Sequence, residues 1–372
     1  MTDFKPVQFV DTDARSIEQE MLVAFQQAAG QQLFPGDPRR IFLSQLLPIV
    51  VGLRNDINFT GNSNLLPFAY EEILDHLGLW VGSTRLQAAS AHTTIRFSLS
   101  NVQLDPISIP KGTRVTPDGD VFFATISSAV IPAGDIYVDV EARSSEGGEK
   151  YNGYAPGQIK LLVDPIPYIA SVSNLDTSSG GTDEESDDAF RERQRLAPAS
   201  FSVAGPEDAY RYFAKSADVN IIDVAVVSPA PNKIEIYPLM EGGELPDQNV
   251  IDKVLAEVTP KNRRPLNDLV SVQAPTEVSY SIELTYYISK DDSAEEASIR
   301  EAVEGVGGAA DAYETWQSSQ LGRAITPDNL ISRIYGAGAY RVVTTAPVYT
   351  EIEKSEVAKL TGPRTLIYGG LI

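Results

Sequence analysis

The sequence predicts an α+β multidomain chain: a helical N-terminal segment, a small all-β domain and two-layer α/β C-terminal domains. The hydrophobic pattern has helical spacing up to about residue 85, alternates up to about residue 175, and then switches repeatedly between the two periods. A hydrophobic content of 42% and a charged content of 22% suit a chain with buried cores rather than a disordered one. The 372 residues hold two or three domains at about 150 residues each. The changes of pattern divide the chain into 1–85, 86–175, 176–275 and 276–372.

The first segment is read as three helices. DARSIEQEMLVAFQQAAG places Ile17, Met21, Leu22 and Phe25 on one face and ends at Gly30. RRIFLSQLLPIVVGLRNDINF and NLLPFAYEEILDHLGLWVG follow, the latter with Leu66, Tyr70, Ile73, Leu74 and Leu77 on one stripe. Such stripes face a core or a partner. Ile17, Met21, Leu22 and Phe25 sit on a short terminal helix and are the candidate interface residues.

The β domain is read from TTIRFSLS, ISIPKGTRVTPDGDVFFATIS, AVIPAGDIYVDVEARS and GQIKLLVDP. IPKG, PDGD and PAGD separate or bend these strands, because Pro, Gly and Asp supply turn geometry. After Gly181 helices and strands alternate. GPEDAYRYFAKSADVNIIDVAVVSP and TPDNLISRIYGAGAYRVVTTAP echo each other: proline in the first helical turn, an apolar stripe, then a strand ending at proline.

The stretch NLDTSSGGTDEESDDAFRERQRL raises three readings. A calcium loop needs its glycine among the acidic ligands; Gly180 and Gly181 precede them. A capped helix beginning near Asp183 fits better. Gly180 and Gly181 form a turn, Thr182 or Asp183 caps, and the acids lie near the positive helix end. Asp187–Arg191 and Glu192–Arg195 have the spacing of helical ion pairs, and Arg193 and Arg195 fall in the last turn.

No catalytic set emerges. There is no Cys, which excludes thiolate metal sites, disulfides and a Cys nucleophile. His76 and His92 are the only imidazoles, and neither has a sequence neighbour that would orient a base. Among 51 acids no carboxylate pair stands out, and a carboxylate-only magnesium site stays open. GVGG at Gly305 and GAGAY at Gly336 do not have the form of phosphate loops. KNRRP at Lys261–Pro265 reads as a helix C-terminus and turn. The expectation is therefore no enzyme activity and no cofactor or resident metal.

A net charge of -21 opposes binding to a phosphate backbone or an anionic membrane. The apolar run Leu43–Leu53 is shorter than the about 20 residues a bilayer needs. No nucleic acid and no membrane insertion are expected. The N-terminus lacks the basic and apolar regions of a signal peptide, so a cytoplasmic site of synthesis is expected.

Several motifs in order resemble the baseplate J-like family, the wedge proteins of contractile phage tails, tailocins and injection systems. They are IPKGTRVTPDGDVFFATISSAVIPAG, GYAPGQI, VSNLDTSSGGTDEESDDAFRERQR, VAGPEDAYRYFAKSADVNIIDVAVVSP and ELPDQNVIDKVLAEVTPKNRRPLNDLVSVQAP. The resemblance runs from about Ile107 to the C-terminus. GGTDEES, AGPEDAYR and RRPLND are its most specific parts. The family's glycine-asparagine loop stands here as Tyr151-Asn152-Gly153-Tyr154, and the helical N-terminus is longer than a minimal member's.

The resemblance implies a structural protein of the tail baseplate, assembled in the host cytoplasm. It implies symmetric copies in an inner ring around the hub and spike. It also implies contacts to other wedge and sheath-proximal proteins, and a rearrangement that triggers sheath contraction. The alternative is a carbohydrate-binding or adhesive β module on an α/β carrier.

Overall fold

The computed structural model describes residues 4–202 and 204–372, which form two units. The first comprises Met1–Arg85 with Phe190–Gln194; the second comprises Leu86–Ala189 and Arg195–Ile372.

Helices α1 (Ala14–Ala29), α2 (Pro38–Ser63) and α3 (Glu71–Trp80) build the first unit. The Asp13 carboxylate accepts from Ser16 N–H at 2.8 Å and caps α1, and Gly30 at φ +62° ends it. Asp37 caps α2 in the same way, with Pro38 at the first turn, where its missing N–H costs nothing. Pro48 lies inside α2 without ending it. Asn58 and Asn62 hold the segment before α1 against α2 by exchanging amide hydrogen bonds of 2.7–2.9 Å with Val7, Phe9 and Val10. Leu74, Ala69 and Phe190 form a buried core with Leu66, Ile73 and Leu77, as the stripe of the third helix predicts.

In the second unit, β1 (Ser90–Leu99), β3 (Arg114–Thr116), β4 (Phe123–Thr125), β6 (Tyr137–Gly147), β7 (Leu161–Leu162) and β8 (Ile169–Asn174) form one sheet. Their order is β7-β3-β4-β6-β1-β8, every pairing is antiparallel, and the end strands meet in a nearly closed barrel. β2 (Ile107–Ile109) and β5 (Ala129–Ile131) add a two-stranded ribbon. Alternate residues of β1, including Ile95 and Phe97, point into the barrel with Phe123, Val140 and Val172.

Next come α4 (Asp187–Leu196), α5 (Glu207–Lys215), β9 (Ile221–Ala230), β10 (Lys233–Met240), α6 (Gln248–Val258) and β11 (Leu269–Val272). β9 and β10 form an antiparallel hairpin, and β11 joins β10 in parallel across α6. The chain closes with β12 (Thr276–Ile288), α7 (Glu296–Glu304), α8 (Ala309–Ser318), α9 (Pro327–Gly336), β13 (Arg341–Ala346) and β14 (Glu356–Leu371). β12 is central, antiparallel to β13 and parallel to β14. Its inward residues Ile282, Leu284 and Tyr286 pack on Ile299, Val303, Tyr313, Leu330 and Ile334.

The sequence echo corresponds to a shared piece. In each three-stranded sheet a helix leads into an edge strand, α5 to β9 and α9 to β13, which pairs antiparallel with the central strand. The third strand is parallel to the central one in both. The central strand follows the edge strand in the first sheet and precedes it in the second.

The expected helix start is corrected. α4 begins at Asp187, not near Asp183. The residues before it are extended because their backbone is already paired. Thr182 exchanges hydrogen bonds with Ala89, Ser179 with His92, and Glu185 N–H reaches Leu86 O at 3.0 Å. Ser186 Oγ accepts from Ala189 N–H at 3.3 Å and takes the cap position.

Candidate functional site

The segments that carry the sequence motifs are held together by buried polar contacts. Asn152, in the loop after β6, exchanges two hydrogen bonds with Gly181, at 2.7 and 2.8 Å. This close approach requires a glycine: a Cβ on Gly181 would stand 2.5 Å from Gly148 O. Gly180 takes φ +84°, a conformation glycine adopts without strain. Thr182 pairs with Ala89, and the Asp183 carboxylate accepts from Glu149 N–H at 3.0 Å rather than capping a helix. The four residues Gly180, Gly181, Thr182 and Asp183 therefore seal a barrel edge.

Asn174 does similar work at the end of β8. It is buried, accepts from Ile159 N–H at 2.9 Å, and donates to Tyr154 O, Ala155 O and Asp176 O. This fixes the GYAPGQI loop over the barrel. Asp176 accepts from the hydroxyls of Thr93 and Thr94 and from Thr94 N–H. Partial burial pushes its carboxyl up, but these hydrogen bonds outweigh that and hold it below the usual carboxylate value.

A second cluster joins AGPEDAYR to RRPLND. The buried Tyr210 hydroxyl donates to Asp268 at 2.7 Å, and a Cβ on Gly205 would meet Pro265 at 2.8 Å. Burial first, then the Asp268 carboxylate, push the Tyr210 hydroxyl far above its ordinary pKa, so it stays a donor. Arg264 donates to Thr259 O, Pro265 O and Asp268 O, while Arg263 pairs with Glu257 and lies over the Phe213 ring. The basic run is thus a rigidified turn.

In the first unit, Arg191 donates to Leu66 O and Ala69 O, and Gln194 donates to Leu74 O. Arg193 is buried, lies over the Phe190 ring and donates to Thr84 O at 2.6 Å. Arg193 was expected to serve the end of its own helix; its hydrogen bonds instead secure the segment after α3.

The candidate interface residues are only partly available. Ile17 is fully buried, while Met21, Leu22 and Phe25 are half-buried. Met21 and Leu22 share a small crevice with Leu43 of α2. α2 leaves Phe42, Ile49, Leu53 and Ile57 in solvent, each 51–61% exposed, besides Ile41 and Phe59 on another face. At 100° per residue these four fall on one helical arc.

His76 is exposed, and His92 Nδ1 lies 3.6 Å from the exposed Glu141 carboxylate. Among the described residues no group of three His, Cys, Asp or Glu could hold a metal ion. No helix of the described residues is long and apolar enough to cross a membrane.

Sequence reasoning missed Asn152, Asn174, Tyr210 and Asp268 as organising residues. Asn174 carried a signal, since asparagine is depleted from strands unless its side chain replaces backbone partners.

Two family profiles match this framework. Residues 94–181 match the Baseplate J-like protein barrel domain, and residues 202–274 match the Baseplate J-like central domain. In these two stretches the chain is similar to the baseplate J-like family. Baseplate protein J of Escherichia phage P2 is 30% identical over 187 residues, which are 50% of this chain and 60% of that protein. A chain in the cryo-EM structure of the anti-feeding prophage (AFP) baseplate, 6-fold symmetrised, covers 93% of this chain and 89% of its own length, at 12% identity and a TM-score of 0.49. The barrel profile contains the Asn152–Gly181 lock, and the central profile contains the Tyr210–Asp268 lock. In this chain, the motif residues build scaffold.

Proposed function

We propose that this protein is a structural component of a contractile-tail baseplate. The observation that supports it most is the coincidence of both family profiles with the two polar locks. Residues that could have served a reaction are used instead to hold loops rigid. On this reading the protein is not an enzyme, and its place is the virion tail baseplate or a tailocin particle, assembled in the host cytoplasm.

The finer reading is a wedge protein. Copies stand in an inner ring around the hub, join adjacent wedges and rearrange when the sheath contracts. The helical N-terminus docks on wedge partners, and the α2 arc of Phe42, Ile49, Leu53 and Ile57 supplies the apolar surface. A chain of charge -21 repels its own copies, so higher assembly needs a specific complementary partner. The test is co-purification, with the sheath-proximal wedge protein, of the full chain and of the full chain with Phe42, Ile49, Leu53 and Ile57 changed to Ser. The parent should be retained and the variant lost; retention of both would place the interface outside the α2 arc.

A further inference from the structure

The sequence holds a single Asn-Gly dipeptide, Asn152-Gly153, and it stands in the barrel seam. Asparagine before glycine is the pair most prone to deamidate, because glycine leaves the attacking amide nitrogen unshielded and its backbone free to turn. In that reaction the glycine nitrogen, deprotonated by hydroxide, forms a bond to the asparagine Cγ. The bond from Cγ to the side-chain nitrogen breaks, and ammonia leaves. Water then opens the cyclic imide at either carbonyl and gives aspartate or isoaspartate.

In the folded chain every part of that step is restrained. Asn152 Nδ2 donates to Gly181 O at 2.7 Å and Oδ1 accepts from Gly181 N–H at 2.8 Å, so the side-chain amide cannot turn toward Gly153. The Asn152 backbone is extended, with ψ 162°, which directs the Gly153 nitrogen away from Cγ. Gly153 N–H is itself engaged, donating to Ser178 O at 2.9 Å. The buried Ser178 hydroxyl donates to Tyr151 O at 2.7 Å and accepts from Tyr154 N–H at 3.1 Å, pinning the chain on both sides of the dipeptide. Burial is not what protects the pair: Gly153 is exposed and Asn152 only half-buried, so water and hydroxide reach them.

We propose that Asn152 is a deamidation site that the closed seam keeps silent and that opening of the seam makes reactive. The product cannot re-form the lock. A carboxylate has no N–H to give Gly181 O, and it adds charge to a seam that already holds the Asp183 carboxylate against Glu149 N–H. Isoaspartate also lengthens the main chain by one carbon, which shifts Gly153 and Tyr154 off their Ser178 partners. A local opening that would otherwise reverse is thereby fixed as a covalent change.

The test incubates the full chain in alkaline buffer, folded and in urea, and follows the tryptic peptide Tyr151–Lys160 by mass spectrometry for conversion of amide to acid. Conversion should be at least about tenfold slower in the folded protein, since it proceeds only through the open seam. Ser178→Ala removes the pinning hydroxyl and leaves Asn152, Gly153 and Gly181 in place. It should raise the folded-state rate severalfold and leave the urea rate unchanged. Equal parent rates in buffer and in urea would overturn the protection, and no conversion in urea would overturn the site itself. Protein deamidated in urea and refolded should melt below undeamidated protein taken through the same cycle, or fail to refold. Identical melting would overturn the claim that the product cannot re-form the lock.

Discussion

The Tyr210 hydroxyl donates a 2.7 Å hydrogen bond to the Asp268 carboxylate across 58 residues of sequence, joining α5 to the turn before β11. Tyr210 is buried, and Asp268 closes a turn whose carbonyls are already taken by Arg264. Tyr210→Phe should lower stability by about 1.5–3 kcal/mol, because it removes a bond to a charged acceptor and leaves that acceptor short of a donor. The urea midpoint is the measurement, and an unchanged midpoint would show that the bond contributes nothing.

The barrel seam should be sensitive at its glycines. Gly181 has no space for a Cβ, and Gly180 is at positive φ. Changing both to Val should cost about 1–3 kcal/mol. A melting temperature equal to the parent's would remove the claim that these positions require glycine.

Asp183 and Ser186 separate two accounts of the segment before α4. Ser186→Ala should cost about 0.5–1 kcal/mol through the lost cap. Asp183→Ala should cost about 1 kcal/mol through the lost bond to Glu149 N–H. Hydrogen exchange discriminates between them: the Asp183 change should expose the Glu149 amide, and the Ser186 change the first turn of α4. Faster exchange in α4 on changing Asp183 would restore it as the cap.

Acid should weaken the barrel through Asp176. Its folded pKa lies below the ordinary 3.8, so the carboxylate form is favoured by folding. That stability is fully present above the ordinary value and is lost as pH falls below it, through the depressed folded value. Asp176→Asn should therefore flatten the fall in melting temperature below about pH 4. Parallel acid profiles for parent and variant would show that Asp176 does not titrate with folding.

The fold was legible where local pattern and tertiary environment agree. The α1 helix announced itself through the Ile17–Phe25 spacing and Gly30, and β1 through its strict alternation. Asp183 misled because capping residues read the same whether their backbone is free or already bridged to another strand. Residues 86–92, which supply that bridge, lie some 93 positions away at Ala89. The brevity of β7 and the presence of α8 were hidden for similar reasons: Leu161–Leu162 belongs to a longer apolar run, and the AADAYETWQS helix has a weak stripe. The glycines and arginines near the polar locks stood out in the sequence, but the pairs did not, because nothing local says that Asn152 meets Gly181.

The central claim is that this chain is part of a tail baseplate, and its most direct test is its position in an assembled particle. The full chain carrying a C-terminal tag, expressed with the tail genes of its source, should be located by gold-labelled electron microscopy. The label should gather at the baseplate end of the tail, in several copies per particle, and tails should fail to assemble when the gene is removed. Label along the sheath or on fibres, or normal contractile tails without the protein, would contradict the account.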